Sequence, residues 1–455
     1  MRRSIGASVA LIGGLVLVWP ATGRAQDDRS LRGLISQLFI FGSGQDPLVL
    51  GGSIDPNNPD DIRAHGLHFV PAAVAENASL IGFITGAIST SIGRVPIGAT
   101  SGGVTFRFEG GIPVKTSTSA GPIFAERAQT LGRGRALVGI GRSSFQFSTL
   151  RGVPMDNIEL IFTHENVDFA GCDTIYGGDC SQMGRPSLEN EIMPFRLNLD
   201  LDVTVTTFYL TYGLWDRVDV GVVVPVVSTK MHGQSLAQII PFGGPSASHF
   251  FEGTPEAPVL AANRSVSGSA LGLGDVAVRA KVAVRESQYH SLALLGEARF
   301  GTGSSEDLLG AGAFSARGMA VLSGRIDAFS PHVNLGYVHH ARGAQRGRND
   351  AVLATVGFDH LLSEQVTLAV DVVSELQVGA SRLRLPGPVE VDVPFHRVVQ
   401  PSAIPEMRDD VVSGSLGFKL VMPRGFTGVV NALVPLNRGG MRPDVIYTLA
   451  LELNF

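Results

Sequence analysis

The chain has 455 residues, with 36 Lys and Arg against 41 Asp and Glu for a formal net charge of -5, and it is 44% hydrophobic but only 17% charged, with 56 glycines. The scattered basic residues form no tract, which excludes nucleic acid as a partner, and beyond the N-terminal segment no apolar run is long enough for a membrane helix. Hydrophobicity is instead spread by alternation, as in a barrel whose strands meet lipid with half their residues.

Arg2 and Arg3 precede an apolar stretch from Ile5 to Trp19, and small residues follow at Gly23 and Ala25. This order is that of a secretory signal peptide over residues 1–25, cut after Ala25. The stretch is short for a spanning helix, which takes about 20 residues, and no Cys stands at the cut to carry a lipid. Residues 26–101 do not alternate. Leu31, Leu34, Ile35, Leu38 and Phe39 follow helical spacing, as do Leu80, Ile81, Ile84 and Ile88 more loosely, with a Pro/Asn/Asp stretch from Asp55 to Asp61 between them. The spacing predicts two short helices joined by a loop, forming either a plug within a lumen or a periplasmic extension. Asp55, Asp60 and Asp61 with Asn57 and Asn58 offer oxygen ligands but lack EF-hand spacing, so they read as a solvated turn. No metal or cofactor is expected.

From residue 102 to 455 the pattern predicts an all-β, transmembrane antiparallel barrel of about fourteen strands, with twelve or sixteen also allowed. In the clearest segment Phe195, Leu197, Leu199, Leu201, Val203, Val205 and Tyr209 share one face, opposite Arg196, Asn198, Asp200, Asp202, Thr204 and Thr206. Val218 to Val224 and Val276 to Val284 repeat it, and further strands are expected at 102–113, 134–149, 157–166, 288–301, 314–327, 332–341, 351–361, 365–378, 412–422, 426–435 and 444–455. Pro225 belongs near a strand end or a bulge, because it donates no ladder bond. Val138 and Ile140 occupy one parity and Phe145 and Phe147 the other, which calls for a bulge near Gly141. Tight links near 151–156, 213–216, 286–287, 328–331, 362–364 and 423–425 alternate with mostly longer ones, 114–133 among them. Periplasmic turns and outer loops alternate in this way when both barrel ends are periplasmic.

Charged residues opposite the apolar face are assigned to the lumen: Arg107, Glu109, Arg196, Asp200, Asp202, Arg217, Asp219, Arg279, Lys281, Glu297, Arg299, Arg325, Asp359, Asp371 and Glu375. Turned outward at the bilayer midplane, an Arg or Lys costs about 2–4 kcal/mol. Their mixed signs argue against a one-sign filter; pairing with one another is the first reading, beside holding the plug or meeting a solute. Cys172 and Cys180 share one outer loop of an exported chain, where a local disulfide is favoured. Phe242, Phe250 and Phe251 form an apolar entry patch or pack their loop down. His339 with His340, and His249 beside Ser248, show no carboxylate partner or nucleophile turn, so no catalytic residue is assigned. The C-terminus places Tyr447, Leu449, Leu451, Leu453 and Phe455 on one face, the pattern by which bacterial outer-membrane barrels are recognised by the barrel-insertion machinery.

Four short motifs carry a resemblance: Gly213-Leu-Trp-Asp-Arg-Val-Asp-Val-Gly-Val-Val-Val-Pro225, Leu273-Gly-Asp-Val276, Ser101-Gly-Gly-Val-Thr-Phe-Arg-Phe108 and Gly121-Pro-Ile-Phe-Ala-Glu-Arg127. The chain resembles the outer-membrane transporters grouped under the MetA-pathway of phenol degradation, which are related in architecture to FadL-type hydrophobic-solute channels. The resemblance implies an aromatic or fatty solute and matches no solute-binding residue. The reading that follows is a passive, non-enzymatic outer-membrane channel for small hydrophobic molecules, with lipid and solute as partners. The alternatives are a structural or adhesive barrel whose loops bind a partner and, third, an outer-membrane hydrolase.

Overall fold

The computed structural model describes residues 30–41, 48–49, 82–88, 91, 106–109, 112–115, 119–163, 192–240, 251–254, 257–287, 289–341, 348–391 and 397–455. The expected signal peptide, the Asp55–Asp61 stretch, the Cys172–Cys180 pair, His249, Phe242 and Phe250 lie outside the described residues.

Twelve antiparallel strands close on themselves: β1 (Ala136–Leu150), β2 (Ile192–Trp215), β3 (Val218–Gln238), β4 (Ala277–Glu286), β5 (His290–Arg299), β6 (Ser315–Gly324), β7 (Phe329–His340), β8 (Ala351–Ser363), β9 (Val366–Gln377), β10 (Val411–Val421), β11 (Phe426–Pro435) and β12 (Ile446–Asn454). Each pairs with the next in sequence, and β12 returns to β1 through Leu453↔Val138 to Tyr447↔Ser144. At the seam Ala136 and Phe455 exchange backbone bonds of 2.8 and 3.0 Å. Tight turns after β2, β4, β6, β8 and β10 gather at this terminal end, and longer connections gather at the other. The alternation of short and long links is therefore present, with two exceptions.

Two expected strands are not in the barrel, which is why the count is twelve. Residues 102–113 do not join it: Phe106–Glu109 pairs with Ile112–Lys115 as a separate hairpin. Within 157–166, Ile158–Thr163 pairs with the far half of β2 through Ile158↔Leu197, and Ile161 N–H bonds Pro401 O at 2.9 Å. The link 151–156 consequently sits at the loop end. Residues 119–133, expected in an outer loop, run inside the barrel.

The remaining surprises share one cause, the length of β2 and β3. They span 24 and 21 residues, against the 9–11 that cross a membrane, so the hairpin projects well beyond its neighbours. Strand Ala261–Leu273 flanks it on the β3 side. Along this projection Phe195, Leu197, Leu199, Leu201 and Val203 point inward and are buried. Helix α1 (Leu31–Gln37), N-capped by Ser30 Oγ on Gly33 N–H at 3.1 Å, packs Leu31 and Leu34 over Gly268, while Leu38 beyond its last turn sits over Gly233. A Cβ at Gly268 would lie 2.6 Å from Leu34 Cδ1, so a larger residue there would make the leucines of the helix shift. Phe39 stacks on Phe195 with centroids 4.9 Å apart, and Phe251 packs on Phe41 at 5.2 Å. Residues 82–88 form the second helical stretch, with Ile84 and Ile88 buried and Phe83 beneath the Arg151 guanidinium at 4.7 Å.

Within the barrel proper the apolar residues face out. Val138, Ile140, Phe208, Leu210, Tyr212, Leu294, Leu335, Leu416, Leu449 and Leu451 are all exposed. Aromatics mark both margins of this belt: Trp215, Tyr289 and Phe455 at the terminal end, Phe300, Phe314, Tyr337 and Tyr447 at the other. The apolar residues of β1 and β2 thus switch from the outer to the inner face where the strands leave the belt. No bulge at Gly141 is needed, since β1 runs in unbroken register from Ala136↔Tyr212 to Gln146↔Asp202. Pro225 sits where β3 exchanges β4 for strand Ala261–Leu273, its carbonyl accepting from Gly274 N–H at 2.8 Å.

Candidate functional site

The lumen is crossed by residues 119–133, immediately ahead of β1. Because this stretch has no neighbouring strand, its backbone polar groups must find partners on the wall, and the inward parity of the strands supplies them. Ala120 N–H bonds Thr367 Oγ1 at 3.0 Å, Phe124 N–H bonds Asp371 Oδ2 at 3.3 Å and Ala128 N–H bonds Ser323 Oγ at 3.0 Å. Glu126 is fixed on both sides by Asn334, its N–H donating at 2.7 Å and its carbonyl accepting at 3.0 Å. Lys281 Nζ donates to the carbonyls of Arg127 and Gln129 at 3.2 and 2.8 Å, and Leu131 N–H meets both Asp219 oxygens at 3.1 Å. Thr130 Oγ1 donates to Asp216 O at 2.8 Å. The segment arches from the β8–β9 wall to the β2–β3 turn. Ile123 rests over Gly417, where any Cβ would overlap it.

Two ionic clusters pin the arch. Arg127 pairs with Asp359 at 3.1 Å, the two side chains 5% and 1% exposed, and also bonds the Ser119 hydroxyl at 2.7 Å. Ser119 in turn donates to Asp359. Behind them His332 Nε2 lies 2.6 Å from Asp371 and Nδ1 lies 3.6 Å from Asp359, so one imidazole bridges two carboxylates that hold the segment. On the opposite wall Arg279 pairs with Glu126 at 3.3 Å and with Glu297. Glu297 is shared with Arg317 at 2.8 Å and Arg299 at 3.4 Å. Lys281 and Asp219 lie 3.6 Å apart. A third group, remote from the arch, joins Tyr209 Oη to Glu452 at 3.0 Å and Lys419 to Glu452 at 3.5 Å.

Space remains on both sides of the arch. Toward the loop end a cavity of about 940 Å³, its open mouth included, is lined by Phe124, Glu126, Met319, Leu353, Arg317 and Glu375 among others. Toward the terminal end a narrower hollow, about 300 Å³ with its open mouth included, lies between Arg127, Gln129, Arg325, His332 and Asp359.

Asp219, Arg279, Lys281, Glu297, Arg299, Asp359, Asp371 and Glu375 lie on the inner wall; Arg348 pairs with Glu375 at 2.8 Å, and Arg325 lines the smaller cavity. Four expected lumen residues lie elsewhere. Arg196, Asp200 and Asp202 face outward on the projecting half of β2, where water replaces lipid and the apolar face turns to α1. Arg196 reaches Glu159 there, at 3.7 Å across an exposed surface. Arg217 is exposed in the β2–β3 turn. Arg107 and Glu109 belong to the separate hairpin, and their side chains are outside the described ones. His339 does have a carboxylate partner, Asp350 at 3.0 Å in the following loop. Tyr447, Leu449, Leu451 and Phe455 face outward along β12. Leu453 keeps the same parity.

Glu126, Arg127, Arg317, His332, Asn334 and Lys419 are site residues that the sequence reading does not single out. Arg317, His332, Asn334 and Lys419 share the inward parity of their strands, which is a usable signal. Glu126 and Arg127 sit in the motif Gly121 to Arg127, but nothing in its composition says that it enters the barrel.

Neither a protein-family profile nor a curated protein sequence matches the chain. Among solved structures it is similar to an outer-membrane channel of Pseudomonas putida F1, with TM-score 0.40 and 10% identity over 72% of this chain and 98% of that one. It is also similar to a deletion mutant of the monoaromatic hydrocarbon channel TodX, with TM-score 0.32 and 8% identity over 71% and 91%. A third is a FadL homologue of Pseudomonas aeruginosa, with TM-score 0.29 and 9% identity over 71% and 89%. Likeness at this level leaves function to the chain's own residues.

Proposed function

We propose that the chain is an outer-membrane channel through which small, mainly hydrophobic solutes pass passively, with residues 119–133 as the constriction. The observation that carries this reading is a closed barrel with an apolar belt outside and polar groups on much of its inner wall, whose interior is crossed by a peptide held through side-chain bonds and through small apolar contacts such as Ile123 with Ala369 and Val429. Among the described residues no helix is long and apolar enough to cross a membrane, so crossing falls to the strands. A structural barrel has no need of cavities on either side of its filling, whereas a channel needs them as entrance and exit. The arch separates them.

Liposome swelling with solutes of graded polarity tests the proposal. Liposomes carrying the full chain should swell faster than empty ones, and faster still when the arch is loosened by Arg127→Met. If neither protein raises permeability to any solute, the channel reading fails.

A further inference from the structure

Residues 30–41, 82–88 and 91 precede the arch in the chain, and all of them lie at the loop end of the barrel. α1 rests on the projecting halves of β2 and β3, beyond the apolar belt. Ser235 Oγ donates to Leu38 O at 2.7 Å, and Arg32 meets Glu306 of the β5–β6 loop, N–H to O at 3.0 Å and guanidinium to carboxylate at 3.2 Å. Phe83 lies beneath Arg151, Gly86 faces Leu383, and Ser91 lines an apolar hollow with Phe145, Phe147 and Met441. Arg151, Leu383 and Met441 belong to the links that leave β1, β9 and β11 at the loop end. The arch begins at the opposite end. Ala120 N–H bonds Thr367 beside the β8–β9 turn, and Ser119 donates to Asp359 just ahead of that turn. From there the arch climbs to Asn334 at Glu126 and returns at Leu131 to Asp219, beside the β2–β3 turn.

We infer that the segment ahead of the arch is displayed on the outer side of the membrane, and that between Ser91 and Ser119 the chain passes through the lumen of its own barrel. Those two residues are joined covalently from opposite ends of the cylinder, and the join has two routes open to it. Over the outer face its backbone groups would stand in lipid, where nothing bonds them. Through the lumen they meet polar wall groups. The tight turns fix the orientation, since they face the periplasm in bacterial barrels. The segment is then neither a lumenal plug nor a periplasmic extension. α1 and the second helical stretch cap the outer end, which accounts for the length of β2 and β3. The apolar inward face of their projection, Phe195 to Val203, is covered rather than left as a patch in water. This goes beyond the channel reading and rests only on the outer-membrane barrel.

Cysteine labelling of intact cells tests this, using a polymer-linked maleimide too large to enter porins, with Cys172 and Cys180 replaced by Ser. Ser36→Cys lies on the exposed side of α1, and Gly82→Cys stands where an added Cβ meets nothing within 4 Å. Arg196→Cys on the projecting hairpin marks the outside, and Arg217→Cys in the β2–β3 turn marks the periplasm; both positions are exposed. Heat-modifiable migration on gels shows which variants are folded barrels. Ser36→Cys and Gly82→Cys should label on intact cells as fully as Arg196→Cys, with no gain on permeabilisation, while Arg217→Cys should label only after it. An epitope inserted between Asp28 and Arg29, in a chain that keeps both native cysteines, should bind antibody on intact cells. The inference is overturned if a folded Ser36→Cys or Gly82→Cys barrel stays unlabelled on intact cells, if the epitope is reached only after permeabilisation, or if the two markers exchange behaviour. Labelling is read without flux, so its failure leaves the channel proposal standing, and absent flux leaves the outer cap standing.

Discussion

Replacing Arg127 by Met should unseat the lumenal arch while the barrel stays whole. The Met stem retains most of the buried apolar volume, so the loss is confined to the guanidinium bonds. Among these are a 3.1 Å pair with Asp359 and contacts of 2.7 and 3.3 Å with Ser119 Oγ and O. Removing one member of a buried ion pair costs about 3–5 kcal/mol, because the partner stays behind uncompensated. Asp359 keeps the Ser119 hydroxyl and faces His332, which places the loss near the lower figure. About 3 kcal/mol raises the fraction of open arch by about two orders of magnitude. Hydrogen exchange measures it directly, since the amides of Ala120, Phe124, Glu126 and Ala128 each bond a wall side chain. Their protection should fall about a hundredfold while that of β1 to β12 is kept. Adding Asp359→Leu should restore part of it by removing the stranded carboxylate. Unchanged protection in Arg127→Met, or a loss spread equally over the strands, would refute the reasoning.

Leu294→Arg, in the middle of the outer belt, should destabilise the folded barrel by about 2–4 kcal/mol in denaturant titrations. Asp200→Arg on the projecting outer face, which loses one bond from the Gln146 amide, should cost no more than about 1 kcal/mol; equal effects would mean that the belt is misplaced. At the β7–β8 loop burial alone would raise the Asp350 carboxyl, but the His340 N–H, the His339 ring and the Tyr337 hydroxyl outweigh it and hold it at about 2. A folded value below the ordinary 3.8 gives stabilisation that is complete above that pH and lost as pH falls toward 2. The protection factor of the His340 amide should therefore fall between pH 5 and pH 2.5, and constancy would contradict the geometry. Removing Phe455, whose backbone bonds Ala136 at the seam, should lower the yield of heat-modifiable folded barrel on gels; an unchanged yield would deny the seam its part in closure.

The barrel was legible wherever one strand face meets lipid, because a period of two with one uniformly apolar face fits little except a strand between lipid and a polar lumen. The faces of β3, β4 and β12 read correctly for that reason. Alternation alone does not say which face is inside. In Phe195 to Tyr209 the apolar parity points inward throughout, first to α1 and then, at Tyr209, to Glu452. The change from lipid to water along one strand inverts the meaning of a polar residue, and sequence marks that boundary only weakly. Residues 119–133 were harder still. Their conformation is dictated by wall groups more than eighty positions away in the chain, such as Asp219, Asn334 and Asp371, so no local pattern announces them.

The lumenal arch precedes every barrel strand in the chain, yet Ile123 reaches its place only over Gly417 and against Val429, near the other end of the sequence. The part made early is thus ordered late. Contacts so far apart in sequence carry a loop-closure penalty until the intervening strands have paired. A cylinder that still lacks its last strands therefore lacks the wall on which this stretch is seated.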